Sequence, residues 1–243
     1  MKNQRTLKIL WILAFITATL PFWDLGHPLW EVDDARYAEV PREMVEGGDW
    51  LTPSLNYVEY LQKPPLIYWL GASSYELFGV SETTAHLPLA LLSLLGLAGI
   101  GWLGMWMFSL ETGLMAVVIL GTCVEYVALS YMQTPDMALA VCLLWCSAFI
   151  LRALHRPRDA WWTAPAAGAM AGFAFLSKGL VGFVFPAAWL FVLAVFFPEV
   201  RKGARALCLS WAAPVAVLVI APWLWAMSTR HSNFLYHFRP RRE

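Results

Sequence analysis

Residues 85–108 read AHLPLALLSLLGLAGIGWLGMWMF, with no Asp, Glu, Lys or Arg in the run. A membrane-crossing helix needs about 20 mostly apolar residues, so this stretch is long enough to span a bilayer. Comparable runs recur near 8–23, 112–131, 134–151, 163–178, 180–197 and 207–226. The composition agrees: 59% of the 243 residues are hydrophobic, 14% are charged and 14 are tryptophan, and the mean hydropathy is +0.57. Soluble domains rarely carry such values. The expected fold is therefore all-α, a polytopic membrane helix bundle of about seven transmembrane helices. Pro186 and Pro222 fall in or at the end of two runs, where neighbouring helices can satisfy the freed backbone groups. Only the Lys178-Gly179 step divides 163–178 from 180–197.

Sidedness follows from the basic residues. Lys2, Arg5 and Lys8 precede the first run, Arg152, Arg156 and Arg158 follow the fourth, and Arg201, Lys202 and Arg205 follow the sixth. Seven alternating spans put all three clusters on one side, which the positive-inside rule makes cytoplasmic. The opposite side receives the loop 24–83, with eleven acids against three basic residues. The basic start and apolar core of the N-terminus also fit a signal peptide, but no small-x-small site follows, so an uncleaved first span is expected. The zero net charge and the lack of a basic arm give no reason to expect nucleic acid as a partner. Cys123, Cys142, Cys146 and Cys208 lie in or beside apolar runs and read as small buried hydrophobes rather than ligands.

The loop carries the chemistry. EVDDARYAEVPREMVEGGDW, residues 31–50, places four acids and Arg36 in its first nine positions. It reads as an interfacial helix with acids at its start and Gly47-Gly48 at its end, split or restarted at Pro41. Tyr37, Val40 and Met44 share one side, as suits a helix resting flat on the membrane. Pro64-Pro65 then breaks the chain before the aromatic LIYWL, a second interfacial helix, and pins Lys63 just ahead of a helix start. A lysine and backbone N–H groups there make an anion site. Charges within spans are costly and usually face a cavity or a partner. Asp136 opens the fourth span and Lys178 closes the fifth, both at the loop side. Glu111 and Glu125 sit near predicted helix ends, within reach of the interface. Carboxylates and lysines meeting at the outer boundary suit an enzyme acting on a lipid phosphate: lysines hold the phosphate, carboxylates orient or deprotonate an acceptor. A solvated acidic face and a transporter with a charged gate are the other readings. A transporter should show charges at mid-depth and a repeated half, and this sequence has neither.

DDARYAEVPREM, GDWLTPSLNYVEYLQKPPLIYWL, YMQTPDMALA and FLSKGLVGFVFP together resemble the C-superfamily membrane glycosyltransferases. More closely, they resemble the bacterial lipid A aminoarabinose transferases and their protein-mannosyltransferase-like relatives, over residues 8 to about 238. The resemblance implies a polyprenyl-phosphate sugar donor, an extracytoplasmic acceptor such as lipid A or another glycolipid, and a site facing the periplasm from the bacterial inner membrane. It also implies roles. Asp33 is the principal catalytic carboxylate, with Arg36 and Tyr37 completing its motif. Asp136 is the second carboxylate, Lys63 contacts the lipid phosphate beside Tyr60, and Lys178 lines the donor cavity. Gln62 stands where the aminoarabinose transferases carry a Glu that binds metal together with a later His. No metal ligand is assigned here, and a divalent ion would have to bind without that Glu. The family region is expected to occupy 1–238, with 239–243 a non-matching tail. His237 stands where the family continues into its later loop, while Arg239, Arg241 and Arg242 do not match. Relatives are about twice as long, so a partner chain supplying the C-terminal half is a further expectation. The rival readings are a non-catalytic membrane protein that binds the lipid carrier or a partner, and a protein O-mannosyltransferase-like enzyme.

Overall fold

The computed structural model describes residues 2–30 and 32–231. Helix α1 (Lys2–Thr19) ends in a 3₁₀ turn at Leu20–Phe22. The connection that follows carries α2 (Val32–Gly47), a hairpin of β1 (Ser54–Leu55) and β2 (Val58–Glu59), and α3 (Leu66–Phe78). The chain continues with α4 (Glu82–Met107), α5 (Leu110–Gly121), α6 (Val124–Tyr131) and α7 (Asp136–His155). It ends with α8 (Ala160–Lys178), α9 (Val181–Phe196), α10 (Val200–Cys208) and α11 (Ala212–Arg230).

Local chemistry sets the boundaries. Ser81 caps α4 in a reciprocal capping box with Thr84, and Ser109 caps α5 through Thr112 N. Gly179, at φ 71°, ends α8 at the Lys178-Gly179 step anticipated from sequence. The apolar runs do not all become straight spans. Gln4–Phe22, Glu82–Met107, Asp136–His155 and Val200–Arg230 are long and apolar enough to cross a membrane. The run at 112–131 breaks at Thr122-Cys123 into α5 and α6, which meet at 64° and count as a span only together. At 1.5 Å per residue, the 16 residues of α9 cover about 24 Å, short of a ~30 Å hydrocarbon core. The 19 residues of α8 reach the length, but Trp161, Trp162, Thr163, Pro165, Ser177 and Lys178 keep it outside the strongly apolar helices. The chain is a multi-pass helix bundle, and the count of seven straight spans does not hold element by element.

Small residues in α8 serve packing. It lies between α7 and α11, and a Cβ at Gly168 would collide with the Ala212 backbone. Cys146, Ile150, Ala164, Ala167 and Leu207 form one core there. Cys142 and Cys146 are buried thiols, whereas Cys123 and Cys208 are exposed on the bundle surface, contrary to the expectation that all four are buried.

The second core joins the loop to the bundle. Tyr37, Val40 and Met44 of α2 pack with Ile67, Tyr68, Leu89, Leu97 and Val141. Thus the apolar side of α2 faces α3 and the heads of α4 and α7, not the membrane. Those helices offer a larger apolar surface than an interface would. Pro41 does not split α2. It sits inside one continuous helix, buried against Gly71 of α3.

Candidate functional site

Antiparallel packing brings the start of α4, the start of α7, the end of α8 and the end of α11 to the bundle end that carries α2, α3 and the hairpin. The first turn of α2 holds two carboxylates, favourably placed for the helix dipole. They do different work. Asp34 is only 6% exposed. Its Oδ2 accepts from Trp30 N at 3.4 Å, and its Oδ1 from Gln133 N. Gln133 Nε2 in turn donates to Ala85 O at 2.5 Å. Asp34 therefore fastens α2 to the α6–α7 connection and the head of α4. Asp33 projects instead, with its side chain 58% exposed and ion-paired to Arg36 at 2.9 Å.

One turn further on, Tyr37 stacks on Tyr68 with ring centroids 5.8 Å apart. Burial pushes the Tyr37 hydroxyl up to about 12; Tyr60, Asp33 and Asp136 add to the rise and Arg36 opposes it. That both carboxylates act on one phenol puts Asp33, Tyr37, Tyr60 and Asp136 in a single electrostatic neighbourhood. Tyr68 is fully buried, its hydroxyl makes no hydrogen bond, and burial raises its pKa further still.

Asp136 opens α7 and Lys178 closes α8, and their side chains form an ion pair with 38% and 34% of their surfaces exposed. Lys63 is half-buried. Its loop sits on the same helix end, because Leu61 and Leu66 pack on the Phe175–Leu176 cluster. No side chain caps α3 after Pro65, so the helix start next to Lys63 is open. Tyr60 is anchored by its N–H to Pro53 O at 2.8 Å and donates its hydroxyl to Gln62 Oε1 at 3.2 Å. Among the described residues, no group of three His, Cys, Asp or Glu side chains is arranged to hold a metal. His237, Arg239, Arg241 and Arg242 lie outside the described residues.

Supporting residues had little sequence signal. Arg42 makes paired bonds to Glu39 at 2.8 and 2.7 Å and a third to Glu46 at 2.8 Å. Its bonds hold Glu39 below its usual carboxylate range, against some burial. Glu43, 4% exposed, accepts from Ser54 Oγ at 2.5 Å and from Tyr57 N at 3.1 Å. It braces a hairpin turn in which Asn56 and Tyr57 both have positive φ, 53° and 61°. That is the geometry of a two-residue primed turn, which normally wants glycine. Asp49 accepts from Leu51 N and Thr52 N and ion-pairs with Arg230 at 2.7 Å, tying the loop to the end of α11. Of these, only the Asp49 turn carries a local signal, the Asp-x-x-Thr spacing, and it was not read from the sequence.

An all-α membrane bundle with carboxylates and lysines gathered at one end, beneath an ordered loop, defines the class: a multi-pass membrane protein with a polar site at the membrane boundary. The chain belongs to the dolichyl-phosphate-mannose-protein mannosyltransferase family, whose profile matches residues 62–225. It is 33% identical over 221 residues to an undecaprenyl phosphate-alpha-4-amino-4-deoxy-L-arabinose arabinosyl transferase of Pectobacterium atrosepticum. It is 30% identical over 226 residues to such a transferase from Sodalis glossinidius. Each alignment covers 88% of this chain and 38% of the relative. The crystal structure of ArnT from Cupriavidus metallidurans in the apo state superposes with a TM-score of 0.83 at 28% identity, covering 100% of this chain and 45% of that one. The same protein bound to undecaprenyl phosphate gives 0.76, covering 97% and 43%. The chain thus spans less than half the length of these relatives.

Proposed function

We propose that this chain forms the donor-handling part of a membrane glycosyltransferase, moving a sugar from a polyprenyl phosphate to an acceptor outside the cytoplasm. The observation that carries this reading is the gathering of Lys178, Asp136 and the Lys63 loop at the bundle end from which Asp33 projects. The arrangement matches the chemistry. The bond between the sugar's anomeric carbon and the phosphate oxygen breaks, and a bond to an acceptor oxygen forms. Lys63 and Lys178 offset the charge left on the departing phosphate. A hydroxyl acceptor gives its proton to Asp33, whereas an acceptor that is already an anionic phosphate is only oriented by it. Arg36 holds the Asp33 carboxylate in place, Asp136 positions Lys178, and Tyr37 and Tyr60 form the wall between them.

The names of the relatives favour an undecaprenyl-phosphate aminoarabinose donor and lipid A as acceptor. The site then faces the periplasm from the bacterial inner membrane. A protein hydroxyl acceptor is the second reading, favoured by the family profile. The test is transfer of radiolabelled sugar from a polyprenyl-phosphate donor in membranes containing this chain, with Asp33→Asn as control. Asp33-dependent transfer is expected. Transfer that survives Asp33→Asn removes Asp33 from the chemistry. Donor binding without turnover in correctly inserted protein supports instead a non-catalytic carrier-binding protein.

A further inference from the structure

The bundle end opposite to Asp33 carries a groove of its own. It lies between α9 and α10, holds about 700 Å³, and is lined by Ala187, Phe191, Ala194, Arg201, Arg205 and Cys208, among others. Positions 187, 191 and 194 fall on one side of α9, and 201, 205 and 208 on one side of α10, because each set recurs every three or four residues. Leu207 turns the other way, into the core that holds Ile150 and Ala164. One face of α10 is thus anchored in the bundle while the other stays open. The alanines leave the space between the two helices unfilled.

The rim is positively charged and uncompensated. Arg201 donates from Nε to Ala194 O at 2.8 Å and from Nη2 to Val195 O at 3.2 Å. Those carbonyls belong to the last turn of α9, where the helix supplies no partners of its own. The guanidinium is therefore fixed at the rim. Among the described residues, none of Arg201, Lys202 and Arg205 has a carboxylate within ion-pair distance. Arg152, at the same end, differs: it pairs with Asp159 at 2.8 Å and lies over the rings of Trp102 and Trp106. Its charge is already matched within the chain. Two unmatched guanidinium groups above an apolar groove complement a ligand with one anionic phosphate head and a long apolar chain. Guanidinium binds phosphate through paired N–H donors, and basic pockets between membrane helices take anionic lipid headgroups.

We infer that this groove is a site for one anionic glycerophospholipid, with its phosphate on Arg201 and Arg205 and an acyl chain along α9 past Ala194 and Ala187. The lipid joins α9 to α10 at the end away from the proposed chemistry, so it is neither donor nor acceptor. A polyprenyl phosphate carries the same pairing of phosphate and apolar chain. Under the proposed function its phosphate belongs at Lys63 and Lys178, and the test separates the two lipids.

Full-length chain in detergent is titrated, with native mass spectrometry as the readout, against phosphatidylglycerol and phosphatidylcholine of matched acyl chains and against undecaprenyl phosphate. Phosphatidylglycerol is expected to bind roughly tenfold more tightly than phosphatidylcholine, with a preference that shrinks as salt rises. Arg205→Gln removes an exposed charge, and Ala187→Phe fills the groove from an exposed position without changing charge. Each is expected to erase most of the preference and leave undecaprenyl phosphate binding unchanged. Lys178→Ala is expected to do the reverse. Equal retention of the two phospholipids, or a preference that both variants keep, overturns the assignment. A preference lost in Arg205→Gln but kept in Ala187→Phe overturns the groove as the seat of the chain. Undecaprenyl phosphate binding that falls in Arg205→Gln and not in Lys178→Ala overturns the choice of a phospholipid.

Discussion

Lys178, the last residue of α8, closes an ion pair on Asp136, the first residue of α7, where two antiparallel helices end side by side. Both side chains keep about a third of their surface open. The lysine is thus held in place yet open to solvent, and under the proposed function it exchanges its partner for an arriving phosphate.

This relationship predicts opposite effects from its two halves. An exposed pair contributes about 0–1 kcal/mol, so neither variant should shift thermal stability much. Lys178→Ala should weaken undecaprenyl phosphate binding about tenfold or more, since a charge-assisted contact is worth about 1.5–3 kcal/mol. Asp136→Asn should release Lys178 and strengthen binding of the bare phosphate while lowering turnover. Weaker phosphate binding in both variants would contradict the exchange.

Tyr37 gives a test of a different kind. Its hydroxyl, raised to about 12 by burial first and then by Tyr60, Asp33 and Asp136, stays protonated throughout the working range. A raised folded pKa leaves its contribution to stability intact below the ordinary value of about 10 and removes it as pH climbs towards 12. Tyr37→Phe keeps the stack on Tyr68 and should flatten part of the alkaline loss of stability. The pH–rate profile below about pH 9 should not change shape, because the group does not titrate there. A new or lost inflection near neutrality in Tyr37→Phe would contradict this.

Much of the bundle could be read from apolar run length, because a bilayer fixes how long an uncharged helix must be. The Lys178-Gly179 break showed in the same pattern, the helix after Pro64-Pro65 in its prolines and aromatic run, and the gathering of charge in where the acids and lysines fall along the chain. The bend between α5 and α6 was not, because Thr122 and Cys123 interrupt the pattern no more than residues inside a helix do. Nor was the burial of Tyr37, Val40 and Met44, since a helix lying on lipid and one lying on protein need the same apolar stripe. For the site, Asp136 and Lys178 stood out as charges in apolar surroundings. The division between projecting Asp33 and buried Asp34 did not, because adjacent identical residues differ only in what packs against them. His27 and His86 stack from positions far apart in the chain, and no local pattern announces that.

The loop's attachment to α11 should depend on acid. Burial works to raise the Asp49 pKa, but N–H bonds from Thr52 and Leu51 and the Arg230 guanidinium outweigh it and hold the group below its ordinary value. A lowered folded pKa means that its stabilising effect is present above the unfolded value of about 3.9 and fades as pH falls through the folded one. Hydrogen exchange of residues 49–59 should therefore remain slow down to about pH 4, after correction for the intrinsic rate, and quicken below it. Arg230→Gln should shift that onset upward. An onset that the variant leaves in place would show that Arg230 does not hold the loop.

The approach of α2 to α3 gives the last prediction. A Cβ at Gly71 would stand 2.8 Å from Pro41 Cγ and 3.1 Å from its Cβ. Both partners are rigid: Pro41 is a ring within a helix, and Gly71 sits on the buried side of α3. Gly71→Ala must therefore push the helices apart, at a cost of about 1–3 kcal/mol for an overpacked core. The displacement carries Asp33 and Tyr37 with α2, whereas Asp136 and Lys178 stay with α7 and α8. Turnover should fall by about a hundredfold, the scale on which a misplacement of about 1 Å acts, while binding of bare undecaprenyl phosphate changes little. Pro41→Ala in the same chain should restore both stability and turnover by vacating the ring. If the second substitution rescues neither, the contact between these two residues is not what positions Asp33.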